Sequence, residues 1–182
     1  LHTDPTVVNV FNEKEISSLE RIVDVFDDFI VGNVGEVNNI QKAYNQYFDS
    51  VSNEEVFRHL SEQLKLSDSD IIQSLISQLK DDGIFDEIWS YNDYHHYHID
   101  TKQGTKVLGL KINKNGKYFK MLKSLSKHND LYESYYKSIM GNDRISPGSI
   151  SIFLHAFHQV DFSREVNRLI FAIHYITVAS RI

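Results

Sequence analysis

The chain has 182 residues, 41% of them apolar, a formal net charge of −6 and no cysteine. That length suffices for a single domain, residues 1–182, with its own core, and 11 Phe with 10 Tyr belong to a folded protein rather than a disordered one. The missing cysteine excludes disulfides, thiolate nucleophiles, zinc–thiolate sites and iron–sulfur clusters, while 2 Pro and 8 Gly leave little turn material for a β-sandwich.

In chain order, Asn12 and Glu15 have the spacing of a capping box, and Ile16, Leu19, Ile22, Val23, Phe26, Phe29 and Ile30 keep helical period until Gly32, which is expected to end the helix. A second helix is expected over 36–51, with Val37, Ile40, Tyr44, Tyr47 and Phe48 on one side. Asn53 then caps a third, carrying Val56, Phe57, Leu60 and Leu64. A fourth begins near Ser69 and stops at Gly83, a left-handed C-cap. Loops this short make antiparallel neighbours, hence a bundle.

The middle changes period. Residues 94–99 and 106–112 alternate with period two, which predicts a β-hairpin near residues 94–113, pinned against the helices because a lone hairpin is marginal in water. Asn115-Gly116 is a tight-turn signal that allows a third strand. Against that strand, Tyr118, Phe119, Met121, Leu122 and Leu125 fit one helical face with lysines opposite, which favours a helix. Further helices are expected at 130–140, from Ser146-Pro147 through Phe157, and from Asp161 to the end. The last is apolar nearly all round and so central. Its longest apolar run, Leu169 to Ala179, falls short of the ~20 residues a membrane span needs. The expected architecture is therefore mostly α, a bundle of about seven helices with one small hairpin.

Charge is divided along the chain. Residues 1–100 hold 20 acids and 6 bases, and residues 101–182 hold 5 acids and 13 bases. Eight lysines and no acid fall within 102–127. Either the halves match internally or a basic surface is left for an anionic partner. The candidate partner surface comprises Lys111, Lys114, Lys117, Lys120, Lys123 and Lys127, and its ordinary reading is a solvated helix face. Lysines without arginine or interleaved exposed aromatics, in a chain of negative charge, do not make a nucleic-acid reader.

The sharpest chemical candidate is on the hairpin. His96, His98 and Asp100 share one strand face, a spacing that suits a divalent metal held by two imidazoles and a carboxylate. His155 and His158 are three residues apart and His174 lies inside the apolar last helix. They form either a buried polar cluster served by Asn167 and Arg168 or a bundle-type metal site with a carboxylate, for which the usual Glu-x-x-His signature is absent. The acid pairs at 27–28, 54–55, 81–82 and 86–87 read as solvated faces and caps. No dinucleotide, Walker A or serine-elbow pattern is present, and no cofactor is expected.

Gly141-Asn142-Asp143-Arg144-Ile145-Ser146-Pro147, leading to Asn167–Tyr175, resembles uncharacterised small helical exported proteins and lipoproteins of Bacteroidetes-type bacteria. The resemblance covers roughly the last 60 residues, a third of the chain. It implies a periplasmic or envelope location, with a lipid anchor upstream of Leu1, and transfers no activity. The leading expectation is a non-enzymatic binding module for an acidic protein, immunity-like or adaptor-like. The alternative is a metal-binding protein or metal-dependent hydrolase built on the hairpin histidines.

Overall fold

A computed structural model describes residues 1–35, 38–51, 70–97, 104–141, 152–153 and 155–179. It is mostly helical with one two-stranded antiparallel sheet, as the sequence predicts. Among the described residues the helices are α1 (Pro5–Val8), α2 (Glu13–Val34), α3 (Ile40–Val51), α4 (Asp70–Asp81), α5 (Phe85–Ile88), α6 (Lys117–Leu125), α7 (Asp130–Gly141) and α8 (Glu165–Ala179). A 3-10 turn occupies Phe157–Gln159. The single-turn helices α1 and α5 are too short to show periodicity and were not expected. The helix expected after Asn53 and the Ser146-Pro147 start lie outside the described residues.

Local chemistry explains most boundaries. Asn12 accepts from the Glu15 N–H at 3.0 Å while Glu15 accepts from the Asn12 N–H at 2.9 Å, so the capping box forms as written. Gly32, however, does not end α2. The helix runs on until Gly35, which takes φ 79° and donates to the Val31 carbonyl at 3.0 Å. Val34 packs against the core, and one interior glycine costs only about 1 kcal/mol against alanine, so packing carries the helix through. At the end of α4 the expectation holds. Gly83 (φ 75°) donates to Lys80 and Ile84 donates to Leu79, a Schellman pair closed by burial of Leu79 and Ile84.

Strand β1 (Trp89–Tyr97) pairs with β2 (Gly104–Ile112) in a register that sets Trp89 opposite Ile112 and Tyr97 opposite Gly104. The hairpin thus starts five residues before the predicted strand, because Trp89 anchors it. Trp89 is fully buried, and its indole N–H donates to Thr177 Oγ1 of α8 at 2.7 Å. Among the described residues no third strand follows β2. Asn113 turns the chain, its side-chain oxygen accepting from the Asn115 N–H, and Gly116 opens α6 instead.

Gly116 is needed for space rather than for φ, which is −76°. A Cβ there would stand 2.3 Å from the Glu87 carbonyl oxygen and 2.7 Å from its carbon. Glu87 also caps α6, accepting from the Lys117 N–H at 2.9 Å. Gly116→Ala must push α6 off α5, and we expect a loss of about 1–3 kcal/mol in urea denaturation. An unchanged midpoint would show that this contact is loose.

The buried side chains of the described residues form one connected core. α8 is its axis: every residue from Val166 to Thr177 is buried, so the helix read as central is central. Phe48 is the aromatic hub, with ring centroids at 5.3 Å from Tyr47, Phe171 and Tyr175 and 5.6 Å from Phe157. Asp161 does not cap α8 directly. It closes a turn by accepting from the Ser163 N–H at 3.0 Å, and the helix starts four residues later.

Candidate functional site

Internal pairing answers part of the division of charge among the described residues. Lys117 meets Glu15 at 2.5 Å, Arg164 meets Asp4 at 2.7 Å, Arg168 meets Asp27 at 3.0 Å and His158 meets Asp49 at 3.2 Å. Each pair joins a base of the second half to an acid of the first. Thr6 and Arg164 hydrogen bonds outweigh desolvation at Asp4 and hold its carboxyl below the usual range. Lys117 and the Asn12 N–H do the same at Glu15.

Among the described residues, a row of exposed bases without acidic partners lies on α6 and the turn after it. Tyr118, Phe119, Met121, Leu122 and Leu125 are buried and fix the helix against the core. Lys120 and Lys123 stand exposed on the opposite face, and Lys127 is exposed on the turn that follows. The helix ends at Leu125, so Lys127 extends the row from the turn rather than from the helix itself. At 3.6 residues per turn, Lys117, Lys120 and Lys123 form one i+3 ridge, each about 60° round and ~4.5 Å along from the last. Among the described residues Lys120, Lys123 and Lys127 have no acidic partner. Lys111 is half-buried on β2, and Lys114 donates to the Met140 carbonyl at 3.3 Å, so neither extends the exposed row.

A second polar cluster surrounds α8. Arg168, only 8% exposed, donates through Nε to Asp27 and through Nη1 to the Phe162 carbonyl at 2.8 Å. The Tyr44 hydroxyl donates to the other Asp27 oxygen at 2.6 Å. Burial nevertheless pushes the Asp27 carboxyl above its ordinary value, against the pull of Tyr44 and Arg168. The sequence reading of Asp27-Asp28 as a solvated pair is therefore corrected: Asp28 is exposed, while Asp27 is inside a network. The signal was present, because Asp27 falls between Val23 and Ile30 on the apolar face of α2. Asn167, the neighbour of Arg168, is bonded separately, accepting from the Tyr132 hydroxyl at 2.6 Å and donating to the Asp161 carbonyl at 2.7 Å. Of the other acid pairs, Asp82 binds Arg21 and Ser18, and Glu87 caps α6.

Among the described residues the histidines do not converge. His155 and His158 are exposed, whereas His174 is fully buried and shares a 3.1 Å hydrogen bond with the Tyr135 hydroxyl. Burial lowers the His174 pKa to about 3, so it is a neutral core group. His96 stands opposite Thr105 in the hairpin register, and His98 and Asp100 lie outside the described residues. Among the described residues no three His, Asp or Glu side chains gather as a metal site would need. Nor, among them, is any helix long and apolar enough to cross a membrane.

Set against known protein families, curated proteins and solved structures, the chain matches no family model, no curated protein and no solved structure.

Proposed function

We propose that the protein is a non-enzymatic binding module that takes an anionic protein partner on the lysine row of α6, in the manner of an immunity protein or adaptor. One observation carries this reading. Lys117, Arg164 and Arg168 are spent on internal pairs, while Lys120, Lys123 and Lys127 are exposed and unneutralised among the described residues. Holding lysines together on a rigid helix raises the local potential for an incoming anion even though the whole molecule carries −6. The resemblance of the C-terminal third to exported bacterial proteins supports an envelope location for this encounter.

The net charge makes the test discriminating, since a molecule of −6 repels polyanions unless a local site overrides the field. Poly-L-glutamate is expected to bind the wild type at low salt and to be released as ionic strength rises from about 0.05 to about 0.5 M. Lys120→Glu with Lys123→Glu should weaken binding at least about tenfold, with helicity unchanged because both side chains face solvent. Equal binding by both proteins would reduce the row to ordinary solvated surface.

A further inference from the structure

We infer that the element this row receives is an α-helix carrying its carboxylates along one face. The inference rests on the function proposed above and specifies the partner's geometry. Three observations lead to it. First, the row is a fixed ridge and not a mobile tail: five buried side chains clamp α6, and the Glu87 carboxylate holds its first turn. Second, the molecule already shows how this ridge meets an acid. Lys117, its first member, is bound at 2.5 Å by Glu15, a carboxylate on the opening turn of the neighbouring helix α2. Lys120 and Lys123 follow Lys117 along one side of α6, each turned about 60° from the last, and Lys127 is exposed on the turn beyond, so the row offers further places for carboxylates.

Third, the surroundings speak against other anions. The exposed large apolar side chains of the described residues are Val8, Val31, Ile71, Tyr91 and Met140, and none is on α6. A lipid surface is gripped by basic residues backed by apolar side chains that enter the acyl boundary, and α6 turns all of its own inward. Single-stranded nucleic acid wants exposed aromatics for stacking, and Tyr118 and Phe119 are buried. What remains is a ridge of point charges with matched rise, which a second helix satisfies by presenting glutamates or aspartates at i, i+3 and i+4.

Two alanine-based helical peptides of identical composition test this, one with its glutamates gathered on one face and one with them distributed round the helix. Binding to the full chain is followed by amide chemical shifts in 15N-labelled protein, beside vesicles containing phosphatidylglycerol. The one-face peptide is expected to bind at least about tenfold more tightly, to shift Lys120, Lys123 and Lys127, and to lose that advantage in the Lys120→Glu, Lys123→Glu protein. Equal affinity for the two peptides overturns the helical partner while leaving an anion-binding row. Binding to vesicles but to neither peptide overturns it in favour of a lipid surface. No binding to peptides, vesicles or poly-L-glutamate overturns the proposed function with it.

Discussion

Asp27→Ala is expected to destabilise the protein by about 3–5 kcal/mol, more than removing a carboxylate from a surface would. The Arg168 side chain is 10% exposed and that of Asp27 20%, so the pair has lost most of its water. With Asp27 gone, the guanidinium keeps the Phe162 and Ser163 carbonyls, but the remaining carboxylate, Glu165, stands 3.9 Å away. The Tyr44 hydroxyl is orphaned in the same step, because Asp27 is its hydrogen-bond acceptor. For a chain of this size the loss corresponds to a melting temperature lower by roughly 6–20 °C. Replacing the pair together, Asp27→Leu with Arg168→Met, should cost much less, since no buried charge is left alone. Calorimetry of the single and double variants checks this, and a single variant within about 1 kcal/mol of wild type would show that the pair is solvated.

Acid is expected to destabilise the protein through His174 before the paired carboxylates of Asp4, Glu15 and Asp82 respond. The imidazole is fully buried among Tyr135, Phe153 and Tyr175, and burial lowers its pKa from 6.5 to about 3. Between those values the unfolded chain binds a proton that the folded chain refuses. Stability therefore falls as pH falls below 6.5, at about 1.4 kcal/mol per pH unit for this one group. Asp4, Glu15 and Asp82 have lowered pKa values, so the stability they contribute is lost only as pH drops below their ordinary values of 3.8 to 4.5. Asp27, whose carboxyl burial raises, slopes the opposite way as pH falls toward its range, so the histidine is read from the difference between wild type and His174→Phe across the window from 6.5 to 4.5. Unfolding free energies across it should slope steeply in the wild type and lose about one proton's worth of slope in His174→Phe. The slope decides the matter, because the substitution also removes the Tyr135 hydrogen bond and lowers stability at every pH. An unaltered slope would mean that His174 reaches water.

The fold was legible where one period or one cap decides. The apolar stripe of α2, the Asn12–Glu15 box, the Gly83 stop and the all-apolar α8 follow from spacing alone. The limits of the reading lie where tertiary contact outvotes local preference. Val34 pulls α2 past Gly32, and Trp89 starts the hairpin early because Thr177, 88 residues away, receives its indole N–H. Close approach to Glu87 gives Gly116 its role at the head of α6, where the dipeptide Asn115-Gly116 by itself suggests a hairpin turn. The candidate site divides in the same way. That lysines share a face of α6 is written in an i+3 spacing. Which of them are neutralised is not, because Glu15 lies 102 residues from Lys117 and Asp4 lies 160 from Arg164. Only the folded chain separates the spent bases from Lys120, Lys123 and Lys127.

A residue-resolved titration with poly-L-glutamate distinguishes the paired bases from the exposed row. At low ionic strength the amides of Lys120, Lys123 and Lys127 should shift together and saturably. Those around Lys117, Arg164 and Arg168 should stay still because their charges are already matched. Salt should abolish the shifts with no change in fold. Shifts centred on the paired bases, or spread evenly over every lysine, would show that the exposed row is no distinct binding site.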